Sequence, residues 1–179
     1  METSIDDLRY PVGKFSFRGP LSDEQIKDCI STIENFPPKL SREVIHLTDE
    51  QLDTQYRDGG WTIRQVVNHV SDSHMNSIIR FKLAVTEDKP TIKPYRENLW
   101  AELADGIMPI EPALKLIDGL HGRWVLLLRS LTRNQLNLTF FHPESKREMT
   151  LEMTLALYAW HCNHHLAHIT ELKKRKKWM

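Results

Sequence analysis

Trp160-His161-Cys162-Asn163-His164-His165-Leu166-Ala167-His168-Ile169 places four of the chain's nine histidines within eight consecutive positions. The surrounding segment reads as a helix. Advancing about 100° per residue puts Leu151, Leu155, Tyr158, Cys162, Leu166 and Ile169 on one face. Residues i and i+4 share a side of a helix, so His161 pairs with His165 and His164 with His168. His165 falls inside the apolar face and His161 at its edge, while His168 lies slightly further round and His164 near the opposite side. The pair His161/His165 therefore faces a core, and His164 reads as a surface or packing residue. Two imidazoles one turn apart are a common way for a helix to offer nitrogen ligands to a divalent transition metal. A tight site needs a third ligand from elsewhere.

Three more helical segments precede this one. Ser22-Asp23-Glu24-Gln25 has the form of a capping box, followed by Ile26, Ile30 and Ile33 at helical spacing. Pro37-Pro38 predicts a break or bend, after which Leu40, Val44, Leu47 and Leu52 resume the pattern. Asp58-Gly59-Gly60 is a turn. Thr62-Ile63-Arg64-Gln65 is a second capping box, with Trp61 before the cap, and opens a helix to about Val85. Glu111-Pro112 opens a third, with Ile117, Trp124 and Leu128 in its buried stripe. The last runs from about Thr150 to Lys174, and Lys173 to Lys177 form a solvated basic end that suits the helix dipole. Residues 86–110, with Pro90, Pro94, Gly106 and Pro109, form a long crossover containing a short helix around Asn98–Leu103. The run from Leu138 through His142-Pro143-Glu144-Ser145 to Leu151 predicts a short hairpin or irregular loop. Residues 1–19 carry Leu8, Tyr10, Phe15 and Phe17 and read as an extended arm covering the body. The expected fold class is all-α: one four-helix-bundle domain over 1–179, with an N-terminal arm, a long crossover loop and a short hairpin before the last helix.

Composition narrows the function. Lys plus Arg equals Asp plus Glu at 24 each, so no global field attracts nucleic acid or an anionic membrane. Two cysteines suit a reducing compartment, and neither a signal peptide nor a run of roughly 20 apolar residues is visible. The expectation is a cytoplasmic protein with no nucleic-acid or membrane partner.

Three histidines compete for the third ligand position. His74 lies near the centre of the second helix's apolar face, but a lone histidine there is more often a hydrogen-bonded core residue. His69 lies on a stripe with Thr62, Ser73, Asn76 and Arg80, which resembles the wall of a wettable cleft. His121 precedes Trp124 on the third helix. Spacing leaves the choice open.

Trp61-Thr62-Ile63-Arg64-Gln65-Val66-Val67-Asn68-His69 together with Ala159 to Ile169 resembles the DinB superfamily, and within it the YfiT-like metal-dependent hydrolases. Thr91-Ile92-Lys93-Pro94-Tyr95, Trp100-Ala101-Glu102-Leu103 and Leu120-His121-Gly122-Arg123-Trp124 extend the resemblance over nearly the whole chain. It implies a DinB-like four-helix bundle, a homodimer, and one divalent metal per chain held by His69, His161 and His165. Zinc suits the ligand set first and nickel second. Broader members often carry Gln where this chain has His168, so His168 is a candidate fourth ligand, a support behind the ligands, or a substrate-facing group. Ser73, Asn76, Arg80 and His168 are the expected substrate contacts; Asp72 and Glu171 are the carboxylates placed to orient the ligands, and each reads first as an ordinary surface acid.

The implied activity is hydrolysis of a small substrate by water activated on the metal. One alternative is a thiol transferase of the bacillithiol-dependent kind, with Arg64 and Arg80 holding the thiol's carboxylates. Another is metal binding without turnover. No His-Glu-x-x-His motif, phosphate loop or Ser-His-Asp order is present, so no general base is named. Since imidazole ligands must be neutral, affinity is expected to fall as pH drops through about 6.5.

Overall fold

Hydroxyl caps set where three of the four long helices begin, and Pro112 in the first turn marks the start of the other. The Ser22 hydroxyl accepts from the Gln25 N–H while the Gln25 side chain accepts from the Ser22 N–H, and Thr62 and Gln65 repeat the arrangement. Such a cap stabilises a helix by about 1 kcal/mol. The computed structural model describes residues 4–178. Its four long helices are α2 (Asp23–Val44), α4 (Ile63–Thr86), α6 (Glu111–Ser130) and α8 (Leu151–Lys176). Short helices lie between or before them: α1 (Ile5–Arg9), α3 (Asp49–Leu52), α5 (Glu97–Trp100) and α7 (Arg133–Leu136). Strands β1 (Thr139–His142) and β2 (Arg147–Thr150) form an antiparallel hairpin in which Phe140 faces Met149. The four-helix bundle and the hairpin before the last helix are thus as expected.

The bundle is not a simple up-and-down ring. Helix α2 packs chiefly on α8 and α6, and α4 on α6 and α8. The consecutive long helices α2 and α4 therefore lie across the bundle from each other, as do α6 and α8. This arrangement sets α4 beside α8, the two helices that carry the expected ligands. Trp124, Phe36, Phe81, Phe140, Ile33 and Leu155 are fully buried at the centre.

Pro37 and Pro38 lie inside α2 without breaking it, which corrects the expected interruption, and Leu52 belongs to the separate α3. Proline has no N–H, so the carbonyls of Ile33 and Glu34 lose their usual helical donor. Ile33 is completely buried, and an unpaired buried carbonyl costs about 1–3 kcal/mol. A tertiary contact supplies the donor instead: His121 Nδ1 lies 2.6 Å from the Ile33 carbonyl oxygen. A carbonyl can only accept, so His121 Nδ1 carries the proton.

The crossover is held against α4 by polar side chains. Gln65 donates to the Ala101 carbonyl at 3.0 Å and Asn68 to the Gly106 carbonyl at 3.3 Å. A Cβ on Gly106 would lie 2.7 Å from the Ala101 oxygen, so the strap closes this tightly only with glycine. The arm is likewise fastened, not loosely draped: it contains α1, Gly13 accepts from Trp160 Nε1 at 3.0 Å, and Phe15 packs on the Trp160 ring. Among the described residues, no helix is long and apolar enough to cross a membrane.

Candidate metal centre

Helix α4 carries His69 and α8 carries His161 and His165 to the same point, where one nitrogen from each lies within 4.8 Å of the others. His69 and His165 are buried and His161 is half-buried. All three pKa values are depressed, first by burial and then by the neighbouring imidazoles; His69 is held at about 4. The ligand candidates are therefore neutral, with their lone pairs free, well below the ordinary histidine range. His165 Nδ1 is buried without a hydrogen-bond partner. A buried imidazole nitrogen left without a protein partner is costly, and this one belongs to a ring grouped with His69 and His161, which suits a metal-binding role.

A cleft of about 490 Å³ opens over the triad. Aromatic rings back its histidines: Trp61 lies 4.5 Å from the His69 ring, Tyr56 stacks on His168 at 3.9 Å, and Trp160 stacks on His164 at 4.3 Å. Arg9 and Arg57 line the same cleft, together with Glu97. Gly59, in the left-handed region at φ 64°, turns the loop, and Gly60 brings the backbone against the Tyr56 ring and Arg57, where a Cβ would meet Arg57 Cγ at 2.8 Å. Sequence reading saw this only as a turn and saw Trp61 only as the residue before a cap. The aromatic backing was visible in residue type but not in position.

Of the two readings of His164, packing and not surface is the one that holds: it is 7% exposed, with Tyr10 of the arm tilted against it and Trp160 stacked on it. A helical wheel cannot anticipate burial by a segment 150 positions away. His164, His165 and His168 also have nitrogens within 4.8 Å of one another. The buried His168 donates its Nε2 proton to the Arg9 carbonyl at 3.1 Å and lines the cleft. The arm, expected only to cover the body, thus forms part of the cleft wall.

Neither candidate carboxylate meets a ligand. Glu171 pairs with Lys174 at 2.6 Å, and among the described residues no imidazole hydrogen-bonds to Asp72. Burial and the Asp105 charge instead raise the Asp72 pKa to about 6. The partner of His161 is another imidazole, His74, whose Nε2 lies 3.1 Å from His161 Nδ1. Fully buried His74 in turn meets His121 at 2.7 Å. Ser73 Oγ lies 3.4 Å from His161 Nε2, beside the Tyr158 hydroxyl. Asn76 lines a separate depression with Tyr95 and Trp100, and neither Asn76 nor Arg80 lines the cleft over the triad. Arg64 is buried, bound by Asp53 at 2.6 Å and Asp49 at 2.7 Å, and does not line the cleft. Cys162 is fully buried, its thiol pKa pushed up by desolvation, and is absent from both histidine groups.

The family model of the DinB superfamily matches residues 30–169. A Bacillus cereus strain B4264 protein, provisionally named a metal-dependent hydrolase, is 53% identical over 174 residues, covering 97% of this chain and all of the relative. A relative from Bacillus thuringiensis subsp. konkukian with the same provisional name is also 53% identical with the same coverage. Among solved structures, YfiT from Bacillus subtilis superposes with a TM-score of 0.94 at 51% identity, over 97% of this chain and 99% of that one. It is described, provisionally, as a metal-dependent hydrolase with an unusual four-helix bundle topology.

Proposed function

The chain belongs to the DinB superfamily, and on that premise we propose that it is a hydrolase whose one divalent transition-metal ion is held by His69, His161 and His165. The observation that carries this reading is the meeting of three neutral imidazoles from two helices at the floor of a cleft, with no thiolate among them. A structural zinc site is normally closed by four protein ligands, often cysteines, whereas three histidines leave a coordination position for chemistry. Zinc suits these ligands, and nickel is the alternative. When bound, such a cation would act as a Lewis acid, lowering the pKa of water toward neutrality and polarising a carbonyl or phosphoryl oxygen.

The chain's own residues shape what enters. The cleft has room for a small substrate only, and its aromatic walls favour an apolar or planar body. Arg9 and Arg57 favour an anionic group at the mouth. His168 is the expected substrate contact that lines the cleft, Ser73 lies behind it against His161 Nε2, and Arg9 and Arg57 replace Asn76 and Arg80 in the proposal. The thiol-transferase reading leaned on Arg64 and Arg80, of which one is bound by aspartates and the other lies off the cleft. A homodimer in the cytoplasm completes the proposal, and a light-scattering mass near the 21.0 kDa of one chain would remove the dimer.

The test is to load the protein with zinc or nickel and offer a panel of small esters, amides and phosphoesters, with and without a low-molecular-weight thiol. Thiol-independent, metal-dependent product is expected. Adduct formed only with thiol would replace hydrolysis by transfer, and no product with either would leave metal binding alone.

A further inference from the structure

Four groups in line join the middle of α2 to the candidate metal centre. The Ile33 carbonyl oxygen is 2.6 Å from His121 Nδ1, His121 Nε2 is 2.7 Å from His74 Nδ1, and His74 Nε2 is 3.1 Å from His161 Nδ1. We propose that this chain fixes His161 in the Nδ1–H tautomer and so makes Nε2 the atom by which His161 binds metal. The proposal rests on the reading of His161 as a ligand and adds which nitrogen ligates and what decides it.

The argument starts from the backbone. Pro37 and Pro38 have no N–H, so the helix gives the Ile33 carbonyl no donor at i+4 or i+5. The carbonyl can only accept, so His121 Nδ1 donates. A neutral imidazole has one donor and one acceptor, so His121 Nε2 must accept, and the proton in the next contact belongs to His74 Nδ1. His74 Nε2 then accepts in turn, and the proton of the last contact belongs to His161 Nδ1. The lone pair left over is on His161 Nε2, beside the Ser73 hydroxyl, which can donate to it. The reverse order would put the lone pair of His121 Nδ1 against a carbonyl oxygen at 2.6 Å, acceptor facing acceptor in a buried site. Phe36, stacked on His121 and tilted against His74, and Trp124, edge-on to both, hold the two rings in register. His74 and His121 are thus positioning residues that act through His161. Ligating imidazoles ordinarily obtain this orientation from a carboxylate or carbonyl, and here a carbonyl supplies it through two intervening rings.

Nitrogen-15 histidine spectra of the metal-free protein at pH 8 test the tautomers directly. The expected result is Nδ1–H at His121, His74 and His161. Nε2–H at His74 or His161 would overturn the proposal. Loading with cadmium-113 should show nitrogen–cadmium coupling at His161 Nε2, and coupling at Nδ1 would equally overturn it. His121→Phe removes the start of the chain but touches no ligand. It should give mixed tautomers at His74 and His161 and lower zinc affinity by about 10-fold, with one zinc still bound at saturation. Unchanged tautomers in that variant count against the proposal, and if it fails to fold the wild-type spectra still decide. The two readings fail separately: ordered tautomers with no coupling at His161 remove His161 as a ligand, whereas cadmium coupling at His161 with Nε2–H in the metal-free protein removes the relay.

Discussion

Two groups of histidines are buried in this bundle to much the same degree, yet they are opposite in chemistry. In the core, His74 and His121 have partners on every ring nitrogen and are boxed by Phe36, Trp124 and Tyr158. Beside the cleft, His164, His165 and His168 each keep a buried Nδ1 with no hydrogen-bond partner. Burial alone therefore does not distinguish a structural histidine from a candidate ligand. The distinction lies in access to the cleft, which His69, His161 and His165 line and His74 and His121 do not.

Acid should break the comparison most completely. Burial holds His69, His121 and His164 at about 4 and His168 at about 3, with His74, His161 and His165 also well below 6.5. For a histidine with a depressed folded pKa, the unfolded chain binds more protons between the folded value and about 6.5, so stability is lost as pH falls through that window. For His69 the full shift corresponds to roughly 3 kcal/mol, and several such groups rival the total stability of a domain, about 5–15 kcal/mol. Metal-free protein should unfold between about pH 6 and pH 4, followed by tryptophan fluorescence and far-ultraviolet circular dichroism. Asp72, raised to about 6, acts in the opposite sense, losing its contribution as pH rises through that value, but it is one group against seven. The same depression moves the expected loss of metal affinity from about 6.5 toward the lower values of the folded histidines. A melting temperature constant from pH 7.5 to 5 would contradict the burial argument.

The next largest effect separates ligand from strut. His69→Ala, His161→Ala and His165→Ala should each lower zinc affinity by more than about 100-fold, since each removes one of three ligands. His74→Ala should lower it by about 10- to 100-fold while leaving one zinc per chain at saturation. Plasma mass spectrometry on dialysed protein and competition with a chelator measure both. If His74→Ala proved as severe as His165→Ala, the division between the two groups would collapse.

A smaller effect probes the cleft mouth. Replacing Arg9 and Arg57 together by Ala should reduce kcat/KM for an anionic substrate roughly 10-fold, and the loss should shrink with added salt because exposed charges are screened. Equal loss for a neutral substrate would argue that the arginines hold the cleft's shape. The smallest concerns the arm. Trp160→Phe removes the hydrogen bond to the Gly13 carbonyl and should cost about 1 kcal/mol in urea unfolding, within the usual range for one such bond.

Local sequence codes carried far in this protein. Ser22 with Gln25 and Thr62 with Gln65 mark their helix starts because a cap is decided within four residues. The apolar stripes and the spacing of His161 and His165 gave four helices and one edge of a site, since helical geometry converts spacing directly into a face. The identity of the third ligand did not follow from periodicity: His69 and His74 are five positions apart on one helix, and resemblance to a family selected between them. Asp72 and Glu171 are the carboxylates near the ligands along the chain, whereas the neighbour of His161 lies 87 positions away.

By itself, then, the sequence determined the all-helical class, the long helices and their caps, and a metal-suited pair on the last helix, because each depends on neighbours along the chain. Only the tertiary structure decided that the Pro37–Pro38 segment continues α2, that the arm buries His164, and that His74 and His121 stand behind His161. The physical reason is common to all three. A carbonyl without an N–H, a ring without a covering surface and an imidazole without a second partner are each completed from a distant part of the chain, and no window along the sequence contains both halves.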